Sequence, residues 1–120
     1  MRKLLLDLRQ GAPARLAARK NKRIVLLPRR SVVWAGVEDR LVFLHTASER
    51  YLSDRTIGEL EEMLTDGGFV RVNRSDLVNL ERVREMAPWS SGTWRVTLTN
   101  GAELSVSRDR VRNLKALVEL

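Results

Sequence analysis

The sequence predicts a mainly β domain with one central helix and a short C-terminal helix. Three observations carry that prediction. From Arg23 onward, short runs rich in valine, isoleucine, leucine and aromatic residues are separated by turn residues. A single capped, one-faced segment interrupts them at Ile57–Leu64. Two alternating stretches flank Asn100-Gly101 near the end of the chain.

Residues 1–22 read as a basic linker or entry helix, and residues 23–120 as the folded domain. Leu4, Leu5 and Leu8 line one helical face, and Gly11 with Pro13 breaks the run. Arg15, Arg19, Lys20, Lys22 and Arg23 follow, a charge density that suits a linker better than a core. Strands are expected at Arg23–Leu27, Ser31–Ala35, Arg40–Thr46 and Arg50–Leu52. Thr56 is placed to cap the central helix, with Glu59 three residues later completing a capping box. Ile57, Leu60, Met63 and Leu64 supply its apolar face. Gly67-Gly68 ends the helix and releases a strand at Phe69–Val72, and another is expected at Val83–Ala87.

The last hairpin is decided by register. Trp94, Val96 and Leu98 alternate with polar residues, as do Ala102, Leu104 and Val106. A two-residue Asn100-Gly101 turn would send the two apolar sets to opposite faces, which the period of two forbids when one face is buried. A three-residue loop, Thr99-Asn100-Gly101, pairs Leu98 with Ala102, Val96 with Leu104 and Trp94 with Val106. It also puts Gly101 in the left-handed bulge position. Ser107 then caps a closing helix whose Val111, Leu114 and Leu117 or Val118 face the core.

Charge narrows the function. The chain of 120 residues carries 22 Lys+Arg against 15 Asp+Glu, a net +7. Residues 1–40 hold +8, residues 41–80 hold −3 and residues 81–120 hold +2. Such a surface gathers polyanions, and its arginines offer a planar fork that suits phosphate and guanine. The acidic middle block, with Glu59, Glu61 and Glu62 on the central helix, is expected to face away from any polyanion. No apolar run is long enough to span a bilayer, and no signal peptide is visible. The absence of cysteine fits a reducing cytosol, so a cytoplasmic protein is expected.

Catalytic chemistry finds little to use. One histidine, His45, sits on an apolar strand, where a structural role is the commoner one. The Glu61-Glu62 pair points to different sides of a helix. No phosphate-binding glycine loop, nucleophile elbow or metal-ligand spacing occurs. The chain is not expected to be an enzyme, nor to hold a cofactor or metal. Three polar, basic clusters at element ends remain: Asp39-Arg40, Arg71–Ser75 running on to Asn79, and Ser107–Arg110. Arginine can grip guanine bidentately, asparagine can grip adenine, and serine or backbone N–H groups can hold phosphate.

Two of these clusters carry a resemblance. Phe69-Val70-Arg71-Val72-Asn73-Arg74-Ser75-Asp76-Leu77-Val78-Asn79-Leu80 resembles the central signature of the LytTR DNA-binding domain. Asn100-Gly101-Ala102-Glu103-Leu104-Ser105-Val106-Ser107-Arg108 is similar to its second signature. Ile24–Thr46 resembles the family's opening strands, and the match covers about residues 20 to 118. Asp76 stands where the family usually has an aromatic residue, and Ser105 where it usually has proline.

The resemblance implies an elongated arrangement of short antiparallel sheets. It also implies sequence-specific binding of double-stranded DNA for transcription regulation, at direct-repeat promoter sites. Such domains are the output modules of LytR/AlgR/AgrA-like bacterial response regulators, and their loops and turns enter successive major grooves. Carried over by position, Asn79 and Arg108 read bases. Alignment on His45-Thr46 puts Arg40 at a third reading position. Arg74 and Ser75 match positions that hold phosphate, and Arg71, Asn73 and Arg110, from the same clusters, are expected to do likewise. The implied partners are duplex DNA, a receiver or sensory domain outside this chain, and a second protomer on DNA. The competing expectations are a basic RNA-binding module or a protein-interaction module. Aromatic residues make up only 5% of the chain, which is poor provision for stacking single-stranded bases.

Overall fold

The computed structural model describes residues 11–119; the leucine face expected on Leu4, Leu5 and Leu8 lies outside the described residues. Among the described residues, ten strands form two antiparallel sheets. The chain runs through β1 (Arg15–Lys20), β2 (Arg23–Pro28), β3 (Trp34–Glu38), β4 (Leu41–His45) and β5 (Arg50–Ser53) to helix α1 (Ile57–Leu64). It continues through β6 (Phe69–Arg71), β7 (Asp76–Asn79), β8 (Val83–Pro88), β9 (Trp94–Leu98) and β10 (Glu103–Val106) to helix α2 (Arg108–Leu117). The first seven strands make one sheet in the order β2-β1-β5-β4-β3-β7-β6, and the last three make a second in the order β10-β9-β8. The chain measures 48 × 32 × 22 Å along its principal axes, the elongated mainly β shape that the resemblance implied.

Each sheet has its own core. On one face of the large sheet, Val42, Leu44, Ala35 and Leu77 alternate inward and meet Leu60 and Leu64 of α1, with Leu16, Ala18, Leu27, Val32 and Phe69 closing the sides. The capping box of α1 forms as the spacing predicts. Thr56 Oγ1 accepts the Glu59 N–H at 3.1 Å, and Glu59 Oε1 accepts the Thr56 N–H at 2.9 Å. The second core gathers Val96, Leu98 and Val106 of the small sheet, Val111 and Leu114 of α2, Val78 of β7, and Val33 and Val72, which lie just before β3 and just after β6. Val78 therefore joins the two halves. His45 stacks on the Trp34 ring at 3.9 Å and bonds Glu38 through Nε2 at 2.7 Å, a structural role.

The closing hairpin has the three-residue loop. Val96 pairs with Leu104 and Trp94 with Val106, the Leu98 N–H donates to Ala102 O at 2.8 Å, and Gly101 sits at φ +90°. Ser107 stands at the N-cap of α2 with extended backbone, but its hydroxyl makes no capping bond. It donates instead to Asp109 Oδ1 at 2.7 Å.

Three expectations need correction. Residues 15–20, assigned to the linker, are β1, an inner strand of the large sheet with Leu16 and Ala18 buried. Its period-two pattern is carried by one leucine and one alanine among basic residues, too weak to read against the charge. Its turn is Asn21-Lys22, at φ +50° and +66°, where a two-residue hairpin usually shows glycine second. The strand expected at Ser31–Ala35 begins later, at Trp34, because Arg29–Ser31 form a 3₁₀ turn. Val32 and Val33 are buried in different cores, because successive side chains of the extended chain there point to opposite sides. Asp76–Asn79 is a strand, β7, which the reading of that segment as a polar cluster concealed.

Candidate nucleic-acid interface

The central signature folds into a tight turn between β6 and β7, and most of its polar groups are consumed in building it. Asn73 Oδ1 accepts the N–H groups of Ser75 at 2.8 Å and Asp76 at 3.0 Å, the local bonding that asparagine favours in turns. Asn73 Nδ2 donates to Asp76 Oδ2 at 2.9 Å and to the Ser105 carbonyl at 2.8 Å, tying this turn to β10. Arg71 donates through Nη1 to Glu61 Oε1 of α1 at 2.9 Å and through Nε to the Asn73 carbonyl at 3.1 Å, and its Nη2 also reaches the Arg74 carbonyl. Its side chain is 16% exposed. Arg71 and Asn73, expected on phosphates, are thus struts of the turn: each guanidinium nitrogen of Arg71 already donates within the fold, and so do both N–H groups of the Asn73 amide.

Asn79 needs the same correction, more firmly. It is 1% exposed. Its Nδ2 donates to Val32 O at 2.9 Å, and its Oδ1 accepts the Glu81 N–H at 3.1 Å, capping a 3₁₀ turn. A side chain with both ends of its amide bonded and no exposed edge does not read a base. It also lies at the far end of β7 from the β6–β7 turn, because β7 pairs Asp76 with Gly36 at one end and Val78 with Trp34 toward the other.

The exposed remainder is a set of arginines on turns. Arg74 is exposed at the tip of the β6–β7 turn. Arg40 is exposed in the two-residue β3–β4 turn, where Asp39 and Arg40 both have left-handed backbone, at φ +52° and +69°. The Val37 N–H donates to Ser75 O at 3.0 Å, which sets these two turns side by side. Arg108 is exposed at the start of α2, and the Ser107 N–H donates to Val72 O at 2.9 Å, holding that start against the same β6–β7 turn. Arg110 and Ser75 are half-buried. The structure therefore brings together Arg40, Arg74, Ser75 and Arg108; Arg110 follows two residues into α2, about 200° round the helix from Arg108, and Asn79 is left out.

Local electrostatics follow from the same bonds. Burial raises the Asp76 carboxyl above its ordinary value, against the opposing Asn73 hydrogen bond. The Ser107 hydroxyl lowers Asp109, keeping an anion in the first turn of α2, where the helix dipole favours one. Sequence reasoning missed Gly92, in the β8–β9 turn. A Cβ there would stand 3.0 Å from Arg108 Cδ, so the arginine stem lies directly over the glycine. Nothing local signals that contact, since the two residues meet only through tertiary packing.

Exposed arginines on mutually braced turns of a β scaffold define a polyanion-binding module that approaches its ligand with turns. Residues 22–119 match the LytTr DNA-binding domain family, and the chain belongs to that family. It is 32% identical over 106 residues to the sensory transduction protein LytT of Bacillus subtilis (strain 168), covering 88% of this chain and 44% of that relative. It is 26% identical over 98 residues to the transcriptional regulatory protein LytR of Staphylococcus aureus (strain MW2), covering 82% and 40%. The chain thus spans less than half the length of these relatives. A solved LytTr DNA-binding domain from Bacillus cereus has the same fold, with a TM-score of 0.83 at 17% identity over 91% of this chain and 100% of that one. Among the described residues, no helix is long and apolar enough to cross a membrane.

Proposed function

We propose that this chain binds double-stranded DNA sequence-specifically, at direct-repeat promoter sites, and so regulates transcription in the bacterial cytoplasm. Binding, not catalysis, is its activity. The observation that carries the reading is the braced row of exposed arginines on the β3–β4 turn, the β6–β7 turn and the start of α2. Arg40 and Arg108 reach base edges. With Asn79 buried, Arg74 is the exposed member of the central signature and takes the reading role from it. Ser75 and Arg110, set back from the tips, hold phosphates. The greater length of the relatives supports a role as the output module of a longer regulator, with a receiver or sensory domain outside this chain and a second protomer on the repeat.

Selection of bound sites from random duplex DNA tests this. A pair of similar half-sites in direct orientation should emerge, and duplex should outcompete single strands and RNA hairpins at matched salt. Affinity should fall about 10³-fold between 50 and 200 mM salt if about six phosphates are met. Equal binding to all three nucleic acids, or no enriched site, would end the proposal. Arg74→Ala should flatten discrimination at one or two base positions; equal weakening on every duplex would put Arg74 on a phosphate instead.

A further inference from the structure

Beside the row of reading turns, α2 and the β8–β9 turn enclose a groove of ≈ 460 Å³ lined by Gly92, Arg108, Val111, Arg112, Lys115 and Ala116. Arg108, Arg112 and Lys115 are spaced i, i+4, i+7 and so share one face of the helix. Their cationic groups are only partly committed. Lys115 Nζ sits 4.4 Å from the centroid of the Trp94 ring, and the Arg108 stem rests on Gly92. None of the three forms an ion pair among the described residues, whereas Arg19, Arg50, Arg71 and Arg95 all do. Gly92, at φ +83°, is what keeps the groove open at the Arg108 end: a side chain there would meet the arginine stem at 3.0–3.2 Å.

We propose that this groove holds two successive backbone phosphates of the same duplex, just outside the base pairs read by Arg108. The proposal rests on the DNA-binding reading above. From Arg108 to Lys115 the helix advances about 10 Å at 1.5 Å per residue. Successive phosphates of one B-DNA strand stand about 7 Å apart, since the strand winds around the axis while rising 3.4 Å per step, so that advance spans one to two phosphate steps. Arg108 at a base edge thus leaves Arg112 and Lys115 in line with the flanking backbone. The ligand is a phosphodiester chain because the groove shares Arg108 with the exposed arginine row, its charged lining is cationic only, and it offers no carboxylate to select a cationic partner.

The test compares wild type with R112S/K115S on two duplexes. One carries the preferred site with a full helical turn of flanking DNA on each side; the other is trimmed to the edges of the site. On the longer duplex the double variant should bind about tenfold more weakly at low salt. Its log K against log salt slope should be shallower by about two, since each phosphate contributes roughly 0.9. Base preferences should not change, and the trimmed duplex should show little loss. Ethylation of two neighbouring phosphates should interfere with wild type and be silent for the double variant. Arg112→Ser alone, at an exposed position, should give half the slope change without altering the melting temperature, which covers any packing effect of losing Lys115 from Trp94. An unchanged slope and unchanged interference, with Arg108→Ala still flattening base discrimination, would overturn the groove alone. Loss confined to affinity for poly-glutamate would assign the groove to an acidic protein segment and also overturn it. A wild-type chain that shows no duplex preference would overturn the reading beneath it.

Discussion

The two helices among the described residues are built alike and charged oppositely. Helix α1 buries Leu60 and Leu64 in the first core; helix α2 buries Val111 and Leu114 in the second. On their outer faces α1 carries Glu59, Glu61 and Glu62 and no basic residue, while α2 carries Arg108, Arg110, Arg112 and Lys115 against Asp109 alone. Two of the three acids of α1 are put to use within the fold: Glu59 closes the capping box and Glu61 answers Arg71. Two of the cations of α2, Arg108 and Lys115, rest on a glycine and an aromatic ring, which leaves their charge available. Packing therefore does not depend on the sign of the outer charge. The sign sorts the helices with respect to a polyanion: α1 ties two of its three acids to groups of the fold, and α2 leaves its cations without ion pairs among the described residues.

The sharpest way to break this comparison is to empty both cores equally. Leu60→Ala and Leu114→Ala should each cost about 2–5 kcal/mol of stability. Measured on protein still folded at low temperature, Leu60→Ala should leave DNA affinity nearly intact, because α1 touches the β6–β7 turn through the Glu61–Arg71 pair, which this substitution does not remove. Leu114→Ala should weaken binding as well, because α2 carries the interface. Equal loss of binding in both would mean that the two helices are not functionally distinct.

The next contrast lies between Arg108 and Asn79, which the family resemblance had placed in one role. Arg108→Ala should cost about 1–3 kcal/mol on the preferred site, flatten discrimination there, and leave the melting temperature alone. Asn79→Ala should do the reverse. It strands the Val32 carbonyl and the Glu81 N–H and should cost about 1–3 kcal/mol of stability with base preferences preserved. A melt and a base-substitution series on each variant decide the matter. Asn79→Ala with normal stability and lost specificity would contradict its buried position.

Truncation sharpens the boundary of the folded unit. A chain beginning at Lys22 loses β1, and with it the strand that joins β2 to β5. Urea titration should show a clear loss of cooperative folding in the large-sheet half.

The smallest effect concerns Asp76, the acid that replaces an aromatic residue in the signature. Its carboxyl is raised by burial, so the folded chain binds a proton more readily than the unfolded one. The folded state therefore carries a stability cost above the raised value, and that cost disappears as pH falls through the raised value toward the ordinary one near 3.8. Asp76→Asn should melt slightly higher than wild type at neutral pH, and the difference should shrink on acidification. A difference that grows on acidification would give Asp76 the opposite sign.

Much of this could be read in the order of the residues. The Thr56–Glu59 capping box, the three-residue loop ending at Gly101, the apolar face of α2 and the two family signatures are all local patterns. Each is determined by neighbours within a few positions, where period and turn chemistry act directly. The basic balance that points to a polyanion is likewise a property of composition.

Tertiary structure decided the rest, for reasons that no local pattern carries. Leu16 and Ala18 become core only because β2 and β5 flank them on either side. Val32 and Val33 read as one apolar run, but the chain is extended there, so successive side chains point to opposite sides, and a separate core lies on each side. The signature polar residues looked alike in sequence. Burial and bonding to Val32, Glu61 and Ser105, residues outside the central signature, made Asn79, Arg71 and Asn73 structural and left the Arg74 side chain exposed. A polar side chain can serve the fold or the ligand, and the choice rests on whether its hydrogen-bonding capacity is already filled. That depends on which distant segments come to lie against it.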